Sequence, residues 1–114
     1  VLTDRFMYST ITFQGHGRGI EKSLIDEANS LAVRGTLPDL VILLDLSPEE
    51  AFKRIAKRNS ASRDSFEDEQ IAFHSRIRDG FLECARESSV PFLVLDATKT
   101  PEELCAQAAR ICGV

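Results

Sequence analysis

The sequence predicts an α/β fold, a mainly parallel sheet flanked by helices. Three observations carry that expectation. The runs Leu40–Leu44 and Phe92–Leu95 are apolar at every position, so each strand is to be covered on both faces, as in a parallel sheet. Each run ends on an aspartate, Asp45 or Asp96, and a helix-start signature follows within a few residues: Ser47-Pro48-Glu49-Glu50 after the first, Thr100-Pro101-Glu102-Glu103 after the second. The resulting order, β-α-β-α-α-β-α, belongs to layered folds in which helices cross between parallel strands.

The elements follow in order. Val1-Leu2-Thr3 reads as the end of a buried strand, with Asp4-Arg5 just beyond it. Phe6 to Gly19 holds hydroxyl residues and Gly15, Gly17 and Gly19, glycines that permit close backbone approach or special dihedrals. Ile20, Leu24, Ile25, Ala28, Leu31 and Ala32 then recur at helical spacing, and Gly35 is the expected stop. After the strand Leu40–Leu44, Ser47 caps a helix, Pro48 occupies its first position, Glu50 completes a capping box, and Ala51, Phe52 and Ile55 begin the apolar face. The polar stretch from Asn59 to Asp64 interrupts the pattern. Phe73, Ile77, Phe81, Cys84 and Ala85 share one side of a second long helix; Gly80 inside it costs about 1 kcal/mol relative to alanine. Leu104, Ala108 and Ile111 carry the last helix, behind the strand Phe92–Leu95.

Composition narrows the function classes. The chain has 114 residues, about one domain, and 43 % apolar with 28 % charged residues excludes disorder, collagen and fibrous coils. Fourteen basic against eighteen acidic residues give a net charge of −4, which offers no general footprint for nucleic acid or a membrane surface but leaves room for a local basic pocket. Cys84, Cys105 and Cys112 are odd in number, without a C-x-x-C or paired Cys/His spacing, so neither a zinc site nor a disulfide framework is expected. Each falls on the apolar side of a helical pattern, as a small hydrophobe in a reducing, cytoplasmic setting. The longest apolar run, Leu40–Leu44, is far too short to span a bilayer, and no signal peptide opens the chain. Val1 opens it instead, without Met and inside an apolar run, as expected of a chain that begins in mid-strand.

Open α/β sheets bind ligands beyond the carboxyl ends of their strands. Of the aspartates expected there, Asp45 and Asp96 are explained as turn and cap residues. Asp4 differs, because Arg5 adjoins it and a hydroxyl- and glycine-rich stretch follows. An Asp-Arg dipeptide alone reads equally as a surface ion pair. With the following stretch, Arg5 suits bidentate capture of a phosphate. Ser9, Thr10 and Gln14 supply donors and acceptors for a nucleobase edge, and Phe13 a ring that stacks on a base or shapes a sugar pocket. His16 and His74 have no partner at metal-ligand or catalytic spacing and read as structural or neutral.

Val1-Leu2-Thr3-Asp4-Arg5-Phe6, then Ser9-Thr10, then Phe13-Gln14-Gly15-His16-Gly17-Arg18-Gly19, resembles the thymidylate kinase family, in which an apolar strand ends in D-R-(Y/F/H) and S-T-x-x-(Y/F)-Q-G-x-G-R-G follows. The resemblance continues through Pro38-Asp39-Leu40, Leu43-Leu44-Asp45-Leu46 and Pro48-Glu49, and through Asp64 to Glu67, Phe73, Arg76, Arg78 and Phe81-Leu82. Leu95-Asp96-Ala97 and Pro101-Glu102-Glu103 complete it, so nearly the whole chain is covered.

The resemblance implies a nucleoside monophosphate kinase on a P-loop NTPase-type parallel sheet flanked by helices, moving the γ-phosphoryl of ATP to dTMP with Mg²⁺, and a homodimer. It gives Arg5 the dTMP phosphate. It gives Asp4 the orienting of that group or help in placing the metal, and Ser9, Thr10 and Gln14 the thymine and deoxyribose pocket. Phe13 stands where many members have Tyr, at a position that helps exclude a 2′-hydroxyl. The lid is implied at about residues 58–67, flanked by Arg58 and containing Arg63; where many members read D-R-x-E, this chain reads Asp64-Ser65-Phe66-Glu67, so Ser65 takes the arginine's place. Arg58 and Arg63 read equally as solvated helix-end charges. No G-x-x-x-x-G-K-(S/T) phosphate loop occurs in the 114 residues. Residues 1–114 are therefore expected to be the C-terminal part of a single kinase domain, incomplete and inactive by itself, with the strand that carries the loop seated between the strand ending at Asp4 and Leu40–Leu44. A non-catalytic nucleotide- or partner-binding remnant of the fold, and a kinase for another nucleoside monophosphate, are the alternatives.

Overall fold

A computed structural model describes residues 1–59 and 65–114. The sheet consists of β1 (Val41–Asp45) and β2 (Phe92–Asp96). They pair in parallel, in register from Val41 opposite Phe92 to Asp45 opposite Asp96. The ladder is extended at both ends, by Val41 N–H donating to the Pro91 carbonyl and Ala97 N–H to that of Asp45, each at 2.9 Å. Parallel pairing requires a long crossover, and α3 (Pro48–Asn59) and α4 (Ser65–Glu87) lie between the strands in sequence.

The helix starts behave largely as their sequences dictate. Glu50 N–H donates to Ser47 Oγ at 3.3 Å, while the Glu50 carboxylate accepts from Arg54 Nε one turn on. Thr100 forms a complete capping box with Glu103 at the start of α5 (Pro101–Cys112), whose Pro101 stands in the first turn. α2 (Lys22–Val33) ends at Arg34 in the left-handed conformation, one residue before the expected Gly35.

Three expectations are corrected. Val1-Leu2-Thr3 forms no strand and is exposed. A strand exists only with a ladder neighbour, and β1 and β2 pair with each other without reaching it. The apolar stripe on α2 does not pack as one face: Ile25 is buried, whereas Leu24, Ala28 and Leu31 lie exposed on an adjoining face and Ile20 precedes the helix. Cys105 and Cys112 are exposed on α5, which buries none of its residues; Cys84 alone is half-buried.

A helical segment that periodicity did not predict runs from Met7 to Gly17. It comprises α1 (Met7–Thr10), continued by a π-helix over Ile11–Gly17. Hydroxyl and glycine residues are weak helix formers, so tertiary bonds hold this one. Thr12, fully buried, donates its hydroxyl to the Tyr8 carbonyl at 2.7 Å. The Tyr8 hydroxyl shares a 2.6 Å hydrogen bond with Ser88 Oγ at the end of α4, and its ring meets Phe92 edge-on at 4.9 Å. Asn29 Nδ2 on α2 donates to the Met7 carbonyl. The segment is thereby fixed between α2, α4 and β2.

Candidate functional site: an arginine turn on a two-faced helical segment

Asp4 and Arg5 occupy the exposed turn before α1. Arg5 has φ +66°, a left-handed conformation that costs a residue with a Cβ about 1–3 kcal/mol. Its guanidinium carbon lies 5.3 Å from the centroid of the Phe13 ring, in cation–π range. Phe13 in turn meets Phe81 of α4 edge-on at 6.3 Å. Ser9, Thr10, Phe13 and Gln14 are half-buried and spaced about one turn apart, which sets them along one side of the segment. Arg5 and Phe13 are therefore brought together, and Ser9, Thr10 and Gln14 share the helical segment that carries Phe13.

The opposite side, Tyr8, Ile11 and Gly15, lines a cavity of about 510 Å³ with residues of α2 and α4. None of Arg5, Ser9, Thr10, Phe13 or Gln14 borders it. The segment thus has one face toward the arginine turn and one toward this groove. Burial raises the Cys84 thiol in that groove above its ordinary range, against a smaller lowering by the neighbouring Thr12 hydroxyl.

Close approach to α4 depends on glycine at two places. A Cβ at Gly17 would come within 2.7 Å of Ile77 Cδ1, and one at Gly80 within 2.7 Å of His16 Cγ. His16 Nε2 is hydrogen-bonded to the Glu83 carboxylate. This pair was invisible to sequence reasoning, since its members are 67 residues apart. The glycine segment was the signal for close approach, and Gly19 (φ +73°) supplies the special dihedral it also suggested. His74 is exposed and meets Phe52 edge-on at 5.8 Å.

At the strand ends, Asp45 and Asp96 hold structure. Arg78 donates Nε–H and an Nη2–H to the two Asp45 oxygens at 2.8 and 3.0 Å. Asp96 Oδ1 accepts from the Thr98 N–H and hydroxyl, which hold its carboxyl below the usual range. Arg58 lies exposed in the last turn of α3. Arg63 and most of the implied lid, about 58–67, lie outside the described residues. Among the described residues no group of three His, Cys, Asp or Glu side chains gathers to hold an ion, and no helix is long and apolar enough to cross a membrane.

A parallel α/β unit, with an acid–arginine turn feeding a hydroxyl- and glycine-rich segment packed on a long helix, defines part of a P-loop kinase fold of the nucleoside monophosphate kinase class. The crystal structure of thymidylate kinase from Ehrlichia chaffeensis matches with a TM-score of 0.67 at 26 % identity, covering 97 % of this chain and 47 % of that one. The family model described as Thymidylate kinase matches residues 1–108, and the chain belongs to that family. The thymidylate kinase of Nitratidesulfovibrio vulgaris (strain DSM 19637 / Miyazaki F) is 43 % identical over 115 residues, 96 % of this chain and 54 % of that protein. That of Oleidesulfovibrio alaskensis is 41 % identical over 112 residues, 94 % of this chain and 53 % of its own. The chain spans about half the length of the curated relatives it matches.

Proposed function

We propose that residues 1–114 form the C-terminal part of a kinase domain that phosphorylates dTMP to dTDP at the expense of ATP. The observation that carries this reading is Arg5 seated over Phe13 on the segment bearing Ser9, Thr10 and Gln14. An oxygen of the dTMP phosphate attacks the γ-phosphorus of ATP, the bond to the β-bridging oxygen breaks, and ADP leaves. The attacking oxygen is already anionic, so no histidine base is required. Arg5 holds the acceptor phosphate bidentately and offsets its charge as the two polyanions approach. Asp4 orients Arg5. Ser9, Thr10 and Gln14 read the thymine and deoxyribose, and Phe13 walls the sugar. Arg63 or Arg58 takes over the task of the lid arginine on the transferring phosphates.

Mg²⁺ supplies charge neutralisation on the donor phosphates when bound. Asp4 is a lone carboxylate beside Arg5, a donor set that suits an ion borne by the nucleotide and not a resident one. The phosphate loop for ATP is assigned outside these residues, which contain no such motif. The exposed face Leu24, Ala28 and Leu31 of α2 supports a homodimer, and three unpaired cysteines support a reducing, cytoplasmic setting.

An ADP-release assay on the full-length gene product, with dTMP against dUMP, dCMP and dGMP, tests the reading. Turnover that depends on dTMP is expected. Its absence overturns the proposal in favour of a non-catalytic binding protein, and preference for another monophosphate overturns the substrate assignment.

A further inference from the structure

We propose that His16 and Glu83 are positioning residues: their hydrogen bond latches the π-helix to α4 and thereby sets Phe13 and Gln14 for the acceptor nucleotide. The inference rests on the reading of Arg5–Gln14 as the monophosphate site.

Three observations meet at this contact. His16 Nε2 is bonded to the Glu83 carboxylate, with both side chains partly exposed at the mouth of the groove. The imidazole lies directly on the Gly80 backbone, where a Cβ would stand 2.7 Å from Cγ and 2.9 Å from both Cβ and Nδ1. Nδ1 is buried with no hydrogen-bond partner among the described residues, so the bond to Glu83 is what orients the ring.

The turn around His16 is closed by backbone bonds to the carbonyls of the residues it would position. Arg18 N–H donates to the Phe13 carbonyl at 3.1 Å and Ile20 N–H to that of Gln14 at 2.9 Å. On α4, Phe81, adjacent to Gly80 and two residues before Glu83, meets the Phe13 ring. One turn of α4 therefore supports His16 through Gly80 and Glu83, and Phe13 through Phe81. A π-helix is a poorly favoured conformation that recurs at functional sites, and this one has its tether at the residue two positions beyond Gln14. Releasing the tether lets the turn slide on α4, and the side chains on its other face move with it.

The test is steady-state kinetics on the full-length protein. Glu83→Ala is expected to raise the KM for dTMP about fivefold, the size of one net hydrogen bond, with kcat and the KM for ATP within about twofold. Glu83→Gln keeps an acceptor and is expected to restore the KM. His16→Ala should match Glu83→Ala, and the double variant should add nothing further. Should Glu83→Ala fail to fold, Glu83→Met, similar in length but lacking the acceptor, takes its place. An unchanged dTMP KM in an active Glu83→Ala or Glu83→Met enzyme overturns the latch while leaving the kinase reading intact. No dTMP turnover in the unsubstituted protein overturns that reading, and the inference with it.

Discussion

The Arg5 guanidinium stands over the ring of Phe13, 5.3 Å from its centroid. Under the proposed reading, the ring does more than wall a sugar: it holds a flexible cation in place for an incoming phosphate. An exposed cation–π contact is worth about 0.5–1 kcal/mol. Phe13→Leu is therefore expected to raise the KM for dTMP about two- to fivefold, whereas Phe13→Tyr, which retains the ring, leaves it near the starting value. Initial-rate measurements over a dTMP titration distinguish the two.

Arg5 itself admits no close substitute. A planar guanidinium fork makes two parallel bonds to a phosphate, whereas a lysine makes one from a rotating ammonium, so the proposed phosphate role of Arg5 is open to test. Hydrogen bonds to charged groups are worth about 1.5–3 kcal/mol. Arg5→Lys should lower kcat/KM for dTMP about 10- to 100-fold with little change in the KM for ATP. A variant as active as the parent would remove Arg5 from the phosphate.

Asp45 and Arg78 tie the end of β1 to α4 through two bonds of 2.8 and 3.0 Å. The pair is partly solvated, with 39 % of the Arg78 side chain and 23 % of Asp45 exposed, so screening reduces its worth. Asp45→Ala is expected to cost about 1–2 kcal/mol, read as a shift in denaturant midpoint at constant slope. A double-mutant cycle with Arg78→Ala isolates the coupling.

What the sequence made legible was local. The strands Leu40–Leu44 and Phe92–Leu95 declared themselves because continuous apolarity is a property of the segment alone, and Thr100-Pro101-Glu102-Glu103 because a capping box is closed within four residues. Val1-Leu2-Thr3 opens on two apolar residues but has no ladder, since pairing depends on a neighbour that composition does not supply. The helix from Met7 to Gly17 was hidden for the opposite reason: its residues disfavour helix, and Ser88, Asn29 and α4 impose it from a distance. Arg5, Ser9, Thr10, Phe13 and Gln14 were legible as a motif, but the seating of Arg5 on Phe13 was not, and the His16–Glu83 pair had no local signal at all.

Acid should loosen the start of α5. Hydrogen bonds from the Thr100 N–H and hydroxyl hold the Glu103 carboxyl below its ordinary 4.5, and Thr98 does the same for Asp96, below 3.8. A depressed folded value means that the carboxylate contributes its full stabilisation above the unfolded value and loses it as the pH falls through the folded one. Melting temperature should thus be flat at neutral pH with respect to these groups and begin to fall below about pH 4.5. Thr100→Val, which removes the hydroxyl but keeps the N–H, is expected to shrink the Glu103 part of that fall. An identical pH profile in the variant would dissociate the cap from the acid sensitivity.

Gly80 sets two opposed effects against each other. In the middle of α4, glycine costs about 1 kcal/mol relative to alanine, so Gly80→Ala ought to stabilise the helix. The added Cβ, however, would stand 2.7 Å from His16 Cγ and 2.9 Å from His16 Cβ. Those atoms are close to the backbone of the π-helix and cannot swing away as a side-chain tip would, so the segment must move. Overpacking of this kind costs about 1–3 kcal/mol, which outweighs the propensity gain, and Gly80→Ala is expected to be net destabilising in thermal or denaturant melts. The sign should reverse when the obstacle is removed: in a His16→Gly background, Gly80→Ala keeps the propensity gain and loses the clash. Because the two sites touch, their effects should be strongly non-additive. Additive effects would mean that the glycine serves something other than the seat of His16.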